Sequence, residues 1–213
     1  MIRRTLAGFI VVVALVVALP SQASSQHLTT APAPAGTPAA TKMALRDLWV
    51  EHVFWVRNYV VASEAKNAKA KEAAEQEIVA NAKQLAGAFE PYYGKAASEQ
   101  LFTLLAGHWG AVKAVEDATV TSNTKARAEA TDKLTANAKE IAKFISGANP
   151  NLPYDAVFGL LAAHGAHHIA QIDQLHGGLY SEEAKTWAAM RTHMLMIADA
   201  LADGIAKQFP GKS

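Results

Sequence analysis

The feature that most constrains this chain is a repeat. Shifting the sequence against itself by 56 residues brings Ile78-Val79-Ala80-Asn81-Ala82-Lys83-Gln84-Leu85-Ala86 onto Leu134-Thr135-Ala136-Asn137-Ala138-Lys139-Glu140-Ile141-Ala142, with five of nine positions identical. The same shift carries Leu104-Leu105-Ala106-Gly107-His108 onto Leu160-Leu161-Ala162-Ala163-His164, and His52 onto His108. It also takes Asn137 to His193, Leu134 to Met190 and Ile141 to Ile197, with no gap through three copies. A fixed period of this length is the signature of one supersecondary unit used repeatedly.

Each unit reads as two helices. Leu45, Leu48, His52, Val56 and Tyr59 recur at spacings of three and four, as do Leu101, Leu104, His108, Val112 and Val115, which makes one apolar helical face with a histidine inside it. Breaks fall at Pro91-Tyr92-Tyr93-Gly94, at Gly147-Ala148-Asn149-Pro150 with Pro153, and at Gly177-Gly178, where Ser181 is an N-cap candidate. Alanine and lysine dominate between the breaks and favour helix. The spacing predicts helices near 43–66, 70–89, 97–119, 124–146, 154–176 and 182–208. The expected fold is all-α, a helical bundle of three tandem 56-residue hairpins.

Ahead of the repeats, Arg3 and Arg4 precede an uncharged run from Leu6 to Leu19 and then Pro20-Ser21-Gln22-Ala23, the pattern of a secretory signal peptide over residues 1–23. The run is shorter than the roughly 20 residues that span a bilayer as a helix, so no stable membrane span is expected after cleavage. Residues 24–41, rich in Ser, Thr, Ala and Pro, read as a flexible tether, because this composition cannot bury a core. Residues 42–213 are then the folded domain, exported to a periplasm or secreted, with a length suited to one continuous core.

The chain has no cysteine, which excludes disulfides, thiolate metal sites and cysteine nucleophiles. Removing Arg3 and Arg4 from 20 basic residues leaves them one short of the 19 acidic ones. A near-neutral domain has no field that attracts nucleic acid, so nucleic acid is not an expected partner.

The pattern Leu48-Trp49-x-Glu51-His52-x-x-Trp55-x-Arg57, Pro91-Tyr92-Tyr93-Gly94, Leu104-Leu105-x-x-His108 and Ile197-Ala198-Asp199-x-Leu201-x-x-Gly204-Ile205-x-x-Gln208-Phe209 resembles a family of small bacterial all-helical proteins common in spore-formers. Members of that family often carry the label acetylglutamate kinase. The resemblance implies the helical fold. It does not imply phosphoryl transfer, since such a kinase needs an α/β sheet and glycine-rich phosphate-cradling turns, and neither is in this sequence.

Equivalent positions place His52, His108 and His164 on the first helices of the three hairpins and Asn81, Asn137 and His193 on the second. Up to six polar side chains are thereby expected in one interior layer. One reading is architectural: each imidazole pairs with an Asn or a backbone carbonyl and the layer only sets helix register, as polar core positions do in coiled coils. The protein is then an envelope structural or interaction protein.

The other reading is a transition-metal (Zn or Cu) or haem site. The third repeat departs from the first two in that direction, with His168 where Val112 stands and His193 where Asn137 stands. His164 and His168 are one helical turn apart and can share an ion. With His193 they offer three nitrogen ligands, to which His52 or His108 adds another. Asn81, Asn137 and Glu51 are the candidates for supporting the ligands, Met190 and Met194 flank His193, and Trp49, Trp55 and Trp109 are candidates for lining a pocket.

Binding through these imidazoles should weaken below about pH 6, where they protonate. No Glu-x-x-His pair, Gly-x-Ser-x-Gly elbow or phosphate loop occurs. Enzymatic activity is therefore not the expected role.

Overall fold

The structure is a computed structural model, and it describes residues 37–212. The segment expected to be a signal peptide, and the tether as far as residue 36, lie outside the described residues. The rest is helical: α1 (Pro38–Glu64), α2 (Ala68–Gly87), α3 (Glu90–Tyr93), α4 (Lys95–Val120), α5 (Thr124–Ala148), α6 (Tyr154–His176) and α7 (Tyr180–Gln208), with no strand among the described residues. None of these helices is long and apolar enough to cross a membrane.

The six expected helices are present, with two differences. Helix α1 begins at Pro38 rather than near 43, because proline is well placed in a first turn and Ala39-Ala40 continue it. Its first turns are also held by Thr41, whose hydroxyl meets Tyr92 Oη at 2.9 Å. The short α3 occupies the expected break, where Pro91 again starts a turn and Gly94, at φ +82°, stops it.

The hairpin turns repeat with the sequence. In each, a backbone N–H reaches back five residues to close the first helix: Asn67 to Ala62 O (2.9 Å), Asn123 to Ala118 O (2.8 Å) and Leu179 to Gln174 O (2.8 Å). This closure needs a left-handed residue just past the helix, and it falls at Lys66, Ser122 and Gly178, with φ of 54°, 54° and 68°. Asn67 and Asn123 then cap the next helices by accepting from Ala70 N and Ala126 N. Only the third copy has glycine at the left-handed position. Ser122→Gly should therefore raise stability by about 0.5–1 kcal/mol, the left-handed penalty less the entropy glycine loses, as read by urea denaturation.

Helices α1, α4 and α6 pack on one another at the centre, and each second helix packs on its own partner and on the first helix of the next hairpin: α2 on α4, α5 on α6, and α7 on α1. The last contact closes the ring, giving a pseudo-threefold bundle.

Ion pairs mark the junctions. Lys71 pairs with Asp117 (3.0 Å) across α2 and α4, and Arg127 with Asp173 (2.7 Å) across α5 and α6, both partners being related by the repeat. At the closing junction the polarity is reversed: Glu183, which occupies the Lys71 and Arg127 position, is gripped by both arms of Arg57 on α1 at 2.7 Å and by Gln171 at 2.8 Å. Arg46 also grips Asp199 across α1 and α7 (2.6 Å). The swapped charges distinguish this seam from the other two, so a hairpin docked in the wrong order would meet like charge.

The apolar core forms two clusters with a polar layer between them. Along α1, Leu45 and Trp49 belong to one cluster and Val56 and Tyr59 to the other, with His52 in between. Leu101 and Leu105 precede His108, and Val112 and Val115 follow it. On α6, Val157 and Leu161 precede His164, and Ile172 and Leu175 follow.

Candidate metal centre

The pseudo-threefold packing brings the repeat-related His52, His108 and His164 to the bundle centre, where His168, one turn further along α6, joins them. All four are buried, and one nitrogen from each lies within 4.8 Å of the others. The first three rings form a triangle with centroid separations of 6.2, 5.5 and 5.4 Å. His168 stands 5.8, 6.0 and 4.3 Å from His52, His108 and His164.

Two imidazoles bound to one tetrahedral ion at about 2.05 Å have ring centres about 5.2 Å apart. All six separations lie within about 1 Å of that value. The shortest belongs to His164 and His168, which share a hydrogen bond, Nε2 to Nε2, at 3.1 Å.

In that bond one imidazole donates its N–H to the lone pair of the other, which must therefore be neutral. Burial disfavours the charged form and pushes His52 down to about 3, with the charge of a protonated His108 a further penalty. His108 falls to about 4, again through burial, with the Asn137 side chain opposing. Burial, reinforced by the neighbouring imidazoles, holds His164 and His168 well below the ordinary histidine value. The quartet at neutral pH is four neutral imidazoles, the protonation state that ligates metal.

The quartet does not satisfy its own hydrogen-bonding capacity. Both nitrogens of His52, both of His108, and Nδ1 of His164 and of His168 are buried without a hydrogen-bond partner, as is the Trp49 indole N–H beside them. Orphaned polar atoms in a core cost about 1–3 kcal/mol each, so six on one cluster mark a place where a ligand would be favoured.

The other polar positions expected in the layer lie elsewhere. Asn81 Nδ2 donates to Leu48 O (3.0 Å), Asn137 Nδ2 to Leu104 O (3.0 Å), and His193 Nε2 to Leu160 O (2.8 Å), three equivalent bonds each spanning 33 residues. They stitch the second helix of each hairpin to the backbone of the first, one turn before its histidine. The six side chains thus separate into three at the centre, where His168 completes the quartet, and three in a peripheral seam, and His193 is outside the quartet. Asn81 and Asn137 keep a buried Oδ1 without a partner, which leaves an acceptor for a ligand N–H. Replacing Asn137 by Ala should cost about 1 kcal/mol, the net value of one such bond, measured by urea denaturation.

Glu51 is exposed and receives only long contacts from Trp55 Nε1 (3.5 Å) and Asn81 Nδ2 (3.4 Å). Met190 and Met194 are fully buried in the apolar cluster that contains Trp49. Trp109 packs edge-on against Tyr59 at 4.7 Å. Trp49 contacts His52 and His164 edge-on, at 5.9 and 6.4 Å, and lines an apolar cavity of about 310 Å³ with Leu101, Leu105, Leu152 and Ile197. No histidine faces that cavity. His176 is exposed and meets Glu64 at 3.0 Å.

One buried ionisable group escaped the sequence reading. Glu116 on α4 has no exposed surface and neither carboxylate oxygen has a hydrogen-bond partner; burial pushes it up to about 7. The signal was present in the repeat, where Val60 and Ile172 occupy its position.

No protein-family model, curated protein or solved structure matches the chain, so the reading of this centre rests on its own residues.

Proposed function

We propose that this is an exported binding protein that holds one transition-metal ion through His52, His108, His164 and His168. The observation that carries this reading is the convergence of four buried, neutral imidazoles, six of whose eight ring nitrogens have no hydrogen-bond partner in the protein. A single ion would take one lone pair from each. Drawing ligand atoms from within 4.8 Å of one another to the spacing of about 3.3 Å around a tetrahedral ion needs rotamer-scale movement.

The donor set favours Zn(II). Four nitrogens converging from a triangle and a fourth side suit a tetrahedral ion, whereas Cu(II) prefers a tetragonal plane. A haem does not suit the quartet, because rings this close leave no room for a porphyrin between them, and the neighbouring cavity has no axial histidine. Four protein ligands also leave no open position, which fits binding rather than catalysis. Neutral ligands leave the ion's full charge in a low-dielectric core. That limits affinity and suits a carrier or store that must release its ion.

A purely architectural layer is the less economical reading. Register is already specified by the three seam bonds and the reversed ion pair, and it would leave three of the quartet's four lone pairs without a partner, where an ion takes all four.

Calorimetric titration of metal-free protein with Zn(II) at pH 7 tests the proposal. One ion should bind per chain, with the same enthalpy in buffers of different ionisation enthalpy, because the ligands have no protons to release. No binding, or binding with substantial proton release from surface groups, would contradict it.

A further inference from the structure

Besides His176 at the exposed end of α6, the third repeat carries three histidines that its two predecessors lack, and the quartet uses only one of these three. His168 replaces Val56 and Val112; His167 replaces Trp55 and Ala111; His193 replaces Asn81 and Asn137. His167 and His193 face each other across α6 and α7 with ring centroids 5.5 Å apart, both half-buried rather than enclosed. That separation falls between the values for two imidazoles on one ion at a tetrahedral angle (about 5.2 Å) and in line (about 6.4 Å).

The chemistry of His193 is more specific than its position. Its Nε2–H is donated to Leu160 O, the bond that Asn81 and Asn137 make in the other hairpins. This fixes the tautomer and leaves Nδ1 with the lone pair, the arrangement in which a backbone carbonyl orients a metal-binding histidine. The third hairpin has therefore kept its seam bond while gaining a nitrogen able to ligate.

The pair also adjoins the quartet. His167 precedes His168 in the chain, and the carbonyl that His193 holds lies one helical turn before His164. A buried four-histidine centre needs an entry path, and these are half-exposed nitrogens beside it.

We propose that His167 and His193 form an outer two-imidazole station through which a transition-metal ion passes between solvent and the buried quartet. The inference rests on the metal-binding reading above. A station on the path lowers the barrier in both directions and leaves the endpoint unchanged.

The repeat supplies the variant that separates this role from structure, since His193→Asn restores the seam residue of the other two hairpins. The experiment is stopped-flow uptake of Zn(II) by metal-free protein, and its release to a chromogenic chelator, for the parent, His193→Asn, His167→Ala and the double variant. Both rates should fall about 10-fold or more in the double variant, with the dissociation constant within about threefold of the parent and an unchanged melting temperature without metal. Unchanged rates in a parent that binds would overturn the station and leave the quartet standing. A loss of affinity as large as that caused by removing a quartet histidine would make the pair ligands rather than a path, also overturning it. A parent that takes up no Zn(II) would overturn both readings.

Discussion

His168→Val should yield a protein that is more stable than the parent without metal and that no longer holds a metal ion tightly. The repeat places valine at this position in its first two copies, Val56 and Val112, and both are buried in the same apolar environment. The variant removes one buried imidazole with an unpartnered Nδ1 and breaks the 3.1 Å contact with His164. The orphaned Nδ1 goes with the imidazole but His164 Nε2 loses its partner in turn, so the gain comes from burying two methyl groups in place of a polar ring, about 1 kcal/mol.

Loss of one of four ligands acts in the opposite sense once metal is present. Affinity should fall at least about 100-fold, so that saturating Zn(II) stabilises the parent but scarcely the variant. Urea denaturation of both proteins, with and without Zn(II), reads both halves. A variant less stable than the parent in the absence of metal would mean that the imidazole is satisfied by contacts other than those described.

The second large effect is acid lability of the metal-free protein. Each quartet histidine has a folded pKa below its unfolded value near 6.5, so each contributes stability that is complete above that pH and is lost as pH falls towards the folded pKa, about 3 for His52 and about 4 for His108. Between pH 7 and pH 5 His52 and His108 each cost about 2 kcal/mol, and His164 and His168, held well below the ordinary histidine value by burial, act in the same direction.

Glu116 works against them. Its folded pKa is raised from 4.5 to about 7, so its contribution is complete below 4.5 and lost as pH rises through 7. Acidification to pH 5 returns about 2 kcal/mol through this one group. His52 and His108 alone outweigh it and the other two imidazoles add to the loss, which takes a large part of the stability of an ordinary domain. Metal-free protein should therefore unfold or open near pH 5, at a pH where carboxylates held low by ion pairs, such as Glu183 and Asp199, remain charged. Circular dichroism across pH 4–8 checks this, and His168→Val should reduce the steepness by about one proton in four. A flat profile down to pH 4.5 would contradict the burial of neutral imidazoles.

Much of this architecture was legible in the sequence because a repeat constrains positions that periodicity alone leaves free. The 56-residue shift relates His52, His108 and His164, and three of the four quartet residues follow from their being equivalent. His168 was visible as the departure from valine.

What the repeat does not encode is the angle between successive hairpins, so ring closure through α7 and α1 had no sequence signal beyond the unlike charges Arg57 and Glu183. The fate of His193 was hidden for a related reason. Equivalence to Asn81 and Asn137 puts it in the same place in its hairpin, but which first-helix carbonyl that place faces depends on how the two helices rotate against each other. The bonds to Leu48, Leu104 and Leu160 resolve this. Helix α1 extends into the expected tether because the docking partner of Thr41, Tyr92, lies 51 residues away and leaves no local trace.

The most direct test of the metal centre is metal analysis combined with X-ray absorption on the untagged protein, purified without chelator and equilibrated with one equivalent of Zn(II). The structure predicts about one retained ion per chain with a single shell of four nitrogens near 2.0 Å and the outer-shell pattern of imidazole rings. Protein that retains no ion, or an ion whose shell is mainly oxygen, would contradict a four-histidine centre and return the quartet to the architecture of the core.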